Sequence, residues 1–93
     1  MTILRIAGKL VPSAVSVGTT ATAIPTTAAT GRISILVTNN GTNTVYLGDS
    51  TVTTINGTPL EVGEKLPMDL DKNVVLYGIT STGTSDVRVL EGV

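Results

Sequence analysis

Arg32-Ile33-Ser34-Ile35-Leu36-Val37-Thr38-Asn39-Asn40-Gly41-Thr42-Asn43-Thr44-Val45-Tyr46-Leu47-Gly48 carries the clearest conformational signal in the chain. Up to Thr38 the residues alternate. Ile33, Ile35 and Val37 share one face, and Arg32, Ser34, Leu36 and Thr38 share the other, which is the period of a strand. Asn39-Asn40-Gly41-Thr42 breaks the pattern, and Asn-Gly is the strongest short hairpin signal. A second strand over residues 43–48, with Val45 and Leu47 opposite in facing to Thr44 and Tyr46, is predicted to pair antiparallel with the first.

The same reading extends outward. Upstream, residues 13–18 alternate with Val15 and Val17 inward, residues 20–24 form a short extended piece closed by Pro25, and residues 26–31 are a loop by composition. Residues 1–12 read as an N-terminal arm or first strand, extended near residues 2–6 and ending at Pro12. Downstream, residues 49–58 are a polar connection with a second Asn-Gly at Asn56-Gly57 and room for a short strand at residues 51–54. Leu60-Glu61-Val62, between Pro59 and Gly63, reads as the approach to a turn. Residues 64–70 place Leu66, Met68 and Leu70 on one face. Pro67 lies on the other and removes a donor that a central strand could not spare, so this is expected to be an edge strand. Residues 74–80 are the most apolar run and the expected central strand, and residues 85–91 close the domain with Val87 and Val89 inward.

No window of ten residues shows helical spacing of apolar residues. Seven or eight short strands predict an all-β fold, a small antiparallel β-sandwich, Ig-like or jelly-roll-like. The organisation is an extended arm at residues 1–12 followed by a single domain at residues 13–93. A Cys…Trp…Cys pattern is absent, which argues against a true immunoglobulin domain.

Composition narrows the function. Of the 93 residues, 41% are hydrophobic but only Tyr46 and Tyr77 are aromatic. The core must therefore be aliphatic, each side chain burying less area than a ring, and limited stability of the lone chain gives a reason to associate. The net charge is −1 with no basic run, which sets nucleic acid aside. No apolar stretch is long enough to span a membrane. The apolar start is broken by Arg5 and Lys9, unlike a signal peptide. Cysteine is absent, which fits synthesis in a cytoplasm.

The inventory of chemistry is short. Without His or Cys, neither a Ser-His-Asp nor a Cys-His arrangement can form, nor a zinc site built on those ligands. Neither Gly-rich phosphate motif occurs. The carboxylates Asp49, Glu61, Glu64, Asp69, Asp71, Asp86 and Glu91 read as solvated turn and edge charges. Asp69-Leu70-Asp71 lacks the oxygen count of a calcium loop. Asn40-Gly41-Thr42 and Asn56-Gly57-Thr58 match the glycosylation pattern, but turn chemistry already explains both. The tyrosines read as rings packed on a strand with wet hydroxyls, or as a binding platform. Arg32 and Arg88 read as partner contacts or edge protection. The expectation is a protein that is not an enzyme and uses no cofactor or metal.

The run from Val37 through Asn39-Asn40-Gly41-Thr42-Asn43-Thr44-Val45-Tyr46-Leu47-Gly48-Asp49-Ser50 resembles a segment common in small virion proteins of tailed bacteriophages. So do Val52-Thr53-Thr54, Asn56-Gly57-Thr58-Pro59-Leu60 and Gly63-Glu64, and the ending Val74-Val75-Leu76-Tyr77-Gly78-Ile79-Thr80 with Gly83-Thr84-Ser85-Asp86-Val87-Arg88-Val89-Leu90-Glu91. The resemblance implies a head decoration or head-fibre-like accessory protein on the capsid exterior. Such a protein is made in the host cytoplasm, contacts the major capsid protein or another virion protein, and forms a homo-oligomer, with a trimer favoured. It brings no active-site residue. The alternative is a receptor- or carbohydrate-binding module of a tail or fibre. The apolar arm supplies the candidate partner-binding residues: Ile3, Leu4, Arg5, Ile6, Leu10 and Val11, suited to adding a strand to a neighbour's sheet.

Overall fold

Valine, isoleucine and threonine at alternating positions, punctuated by Gly, Asn and Pro, give strands and no helix among the described residues. A computed structural model describes residues 8–93. The described residues form β1 (Leu10–Val17), β2 (Thr22–Ile24), β3 (Ser34–Asn39), β4 (Val45–Gly48), β5 (Thr58–Leu60), β6 (Lys65–Asp69), β7 (Leu76–Ile79) and β8 (Ser85–Gly92). They assemble into a front sheet of order β1-β8-β3-β6 and a back sheet of order β2-β7-β4-β5. All the strand pairings among the described residues are antiparallel.

The pairings nest. β1 pairs with β8, β2 with β7, β3 with β6 and β4 with β5. This is one long hairpin folded over on itself, the strand order of a jelly roll rather than an immunoglobulin sandwich. Val15, Val17, Ile24, Ile35, Val37, Val45, Leu47, Leu60, Val87 and Val89 fill the space between the sheets, and no ring is among them.

Nesting overturns the expected hairpin. β3 lies in the front sheet and β4 in the back sheet, so they do not pair. Residues 40–44 cross between sheets, and the reason is Asn39, whose side chain is fully buried. Its Nδ2 donates to the carbonyls of Asn43 (2.8 Å) and Leu60 (2.8 Å), while its Oδ1 accepts from the Gly41 N–H (3.1 Å) and the Ser85 hydroxyl (2.7 Å). Gly41 has no positive φ. It is needed because a Cβ there would lie 2.5 Å from Asp86 N and 2.7 Å from Ser85 Cα.

Other boundaries shift as well. Residues 51–54 form turns rather than a strand, and the strand lies at β5, which contains Pro59. Only Leu76–Ile79 of the apolar run is strand, internal to the back sheet as expected, while Val74 and Val75 are exposed ahead of it. β1 begins at Leu10 and runs through Pro12, so residues 10–12 belong to the sheet rather than to a separate arm.

Hydrogen-bond direction explains both front-sheet prolines. Lys9 and Val93 exchange bonds, N–H to carbonyl, at 3.2 and 3.0 Å. By antiparallel alternation, Val11, Ser13 and Val15 also face β8, whereas Leu10, Pro12, Ala14 and Ser16 turn their backbone groups away. Likewise Leu70 N donates to Ile33 O at 3.1 Å, so Met68 and Leu66 face β3 and Pro67 faces outward. β6 is an edge, as its proline requires.

Candidate functional site

A sandwich of this kind offers its surroundings two outer faces, and alternation decides what each displays. On the front sheet the residues facing away from the core fall into register across all the strands. Pro12 stands opposite Leu90, Leu90 opposite Leu36, and Leu36 opposite Pro67. The result is an uncharged apolar row running from edge to edge. Beside it Ala14, Arg88 and Thr38 form the next row. A depression of about 470 Å³ lies between these rows, lined by Pro12, Ala14, Leu36, Thr38, Arg88 and Leu90. Arg88, one of its lining residues, reaches along its own strand to Asp86, Nε to Oδ2 2.9 Å.

The back sheet has a smaller apolar face. Tyr46 is opposite Ile79 and Pro59, and Tyr77 is opposite Gly48 and Ala23. The two tyrosines are therefore diagonal neighbours on one outward surface, within reach of each other's rings. Both are half-buried.

The loop between β4 and β5 forms a third feature. Asp49 Oδ1 accepts from the Thr51 N–H at 2.8 Å and from the Thr51 hydroxyl at 2.6 Å, and these bonds hold its carboxyl below the ordinary value of 3.8. Asn56 Oδ1 accepts from Thr53 N at 2.8 Å. The loop's polar groups are thus largely used on each other.

Charged residues are sorted in ways the sequence reading did not anticipate. Arg32 is neither an edge guard nor a surface contact, because it is 1% exposed. Its Nη1 pairs with Glu91 Oε2 at 3.3 Å, and its Nη2 donates to the carbonyls of Asp71 (2.9 Å) and Val74. Glu91 is not a solvated charge either. It is equally buried, and its Oε2 also accepts from Ala29 N at 3.0 Å. Together they seal the end of the sandwich and tie two loops to the last turn of strand. Asp71 serves a turn, its Oδ1 accepting from Asn73 N at 2.8 Å. Among the described residues no group of three or more His, Cys, Asp or Glu gathers as metal ligands would.

Of the residues assigned to partner binding, Ile3, Leu4, Arg5 and Ile6 lie outside the described residues. Leu10 and Val11 are in β1, opposite Gly92 and Glu91, with Leu10 exposed and Val11 half-buried. Nothing in the sequence marks Leu36, Leu90, Pro12 and Pro67 as parts of one surface. Their common row depends on the register of strands far apart in the chain, and no local pattern encodes it.

No protein-family model matches the chain, and no curated protein matches it.

Proposed function

We propose that this chain is a structural accessory protein of a bacteriophage virion, a capsid decoration or cement protein that binds the major capsid protein through the outer face of its front sheet. The observation that carries the reading is the apolar row Pro12–Leu90–Leu36–Pro67, which crosses the entire sheet without a charge. A face of this kind gains from being covered, and docking onto a shell stabilises whatever it covers. The resemblance of residues 37–50 and 74–91 to small virion proteins supplies the identity of the surface. In this reading the protein builds and performs no catalysis.

Co-sedimentation with purified undecorated heads tests it. The chain is expected to pellet with heads, and Leu36→Ser with Leu90→Ser is expected to weaken binding at least tenfold while the circular dichroism spectrum stays native. Failure of the wild-type chain to pellet with any head preparation would sink the proposal.

Tyr46 and Tyr77 on one outward face favour a second reading, a receptor- or carbohydrate-binding module of a tail or fibre. On a glycan array that reading requires a signal lost in Tyr46→Ala and Tyr77→Ala.

A further inference from the structure

Each sheet has two open sides, and the strands that bound them meet solvent differently. β2 and β5 are three residues long, and β5 contains Pro59. β6 carries Lys65 and Asp69 and turns the nitrogen of Pro67 outward. These are the usual ways of discouraging another strand from adding to an edge. β1 differs. It has eight residues, Leu10–Val17, with no charged side chain, and its one proline is near its start. Beyond Pro12, Ala14 and Ser16 direct N–H and C=O away from β8. Both residues are exposed, and no described strand lies on that side.

We propose that this edge is an interface between two copies of the chain, with β1 pairing antiparallel to β1 of the second copy so that the two front sheets become one. The choice of a second copy rests on self-complementarity. Antiparallel pairing of a strand with itself is reciprocal about a twofold axis, so every bond is made twice. With Val15 opposite Val15 of the second copy, Ala14 exchanges bonds with the second copy's Ser16, and Ser16 with the second copy's Ala14. Both prolines then fall outside the central bonds. The side chains brought together on the outer face are small and neutral, so the seam carries neither steric bulk nor like-charge repulsion. The bonds of the seam are made by Ala14 and Ser16, so the interface as proposed does not call on residues before Leu10. It is independent of the virion reading: two copies join this way whether or not a shell is the partner.

Sedimentation equilibrium over a range of concentrations, combined with amide exchange followed by NMR, tests this on the full chain. The mass is expected to rise from one copy toward two, and the Ala14 and Ser16 amides to gain at least tenfold protection over the same range. Ala14→Pro removes an outward donor while leaving the β1–β8 ladder whole, and Ser16→Lys places like charges across the seam. Each is expected to weaken association at least tenfold with unchanged circular dichroism. The proposal is overturned if the chain stays a single copy at millimolar concentration. It is equally overturned if the chain associates while Ala14 and Ser16 exchange freely, or if Ser16→Lys associates like the wild type.

Discussion

Arg32 and Glu91, 59 positions apart in sequence, form an ion pair of 3.3 Å from which water is excluded. The pair holds β8 to the loops on either side of it, because Glu91 also receives Ala29 N and Arg32 also reaches the carbonyls of Asp71 and Val74. Removing one member leaves the other charged and buried. Glu91→Ala is expected to lower unfolding free energy by about 3–5 kcal/mol, measured by urea denaturation. Arg88→Ala is the comparison. Its pairing with Asp86 is exposed, and its loss is expected to cost less than about 1 kcal/mol.

Asn39 is predicted to matter for a different reason. Asn39→Ala strands the carbonyl of Leu60 and the hydroxyl of Ser85, both otherwise satisfied inside the sandwich. A loss of about 2–3 kcal/mol is expected in the same assay. Its neighbour Asn40 is exposed, and Asn40→Ala should stay within about 0.5 kcal/mol of the wild type.

Gly41 and Gly63 separate two meanings of glycine. Gly63 has φ +84° and open space around its Cβ position, so Gly63→Ala costs only backbone strain, about 1 kcal/mol. Gly41 has an ordinary φ but abuts the backbone of β8. Gly41→Ala must push the crossing segment off Ser85 and Asp86 and is expected to cost about 1–3 kcal/mol. Equal small effects at both positions would show that the crossing packs less tightly than described.

Asp49 gives a dependence on pH. Its native carboxyl ionises more readily than the ordinary value of 3.8, chiefly because the Thr51 hydroxyl donates to it and then because the Thr51 N–H does. A lowered native pKa stabilises the fold above the unfolded value, and that contribution fades as pH falls through the native value. Carbon NMR of the carboxyl is expected to show a midpoint below 3.8, and Thr51→Val is expected to raise it toward 3.8.

What the sequence disclosed was whatever depends on neighbours along the chain. Alternation placed Val15, Val17, Ile35, Val37, Val87 and Val89 in the core, and Pro67 marked its strand as an edge. The Asn39-Asn40-Gly41 segment misled because its local chemistry suits a tight turn either within a sheet or between sheets. The choice is made by Leu60 and Ser85, 21 and 46 positions away. Glu91 did leave a trace, since it continues the inward alternation of Val87 and Val89. A carboxylate in that position calls for a cation, but nothing local identifies Arg32 as the one. The row from Pro12 to Pro67 was illegible because it comes from four strands whose register is fixed only after the sandwich closes.

The nested pairing also orders events during synthesis. Of the eight strands among the described residues, β1 is the first to leave the ribosome, and its partner β8 is the last. Until β8 arrives, β1 has no neighbour among the described strands, and β3 and β6 stand alone as the other half of the front sheet. β4 and β5, by contrast, meet as soon as their connecting loop is made. The nested pairs therefore close from the middle of the chain outward, and of the described strands β1 is the one separated from its partner by the longest stretch of chain.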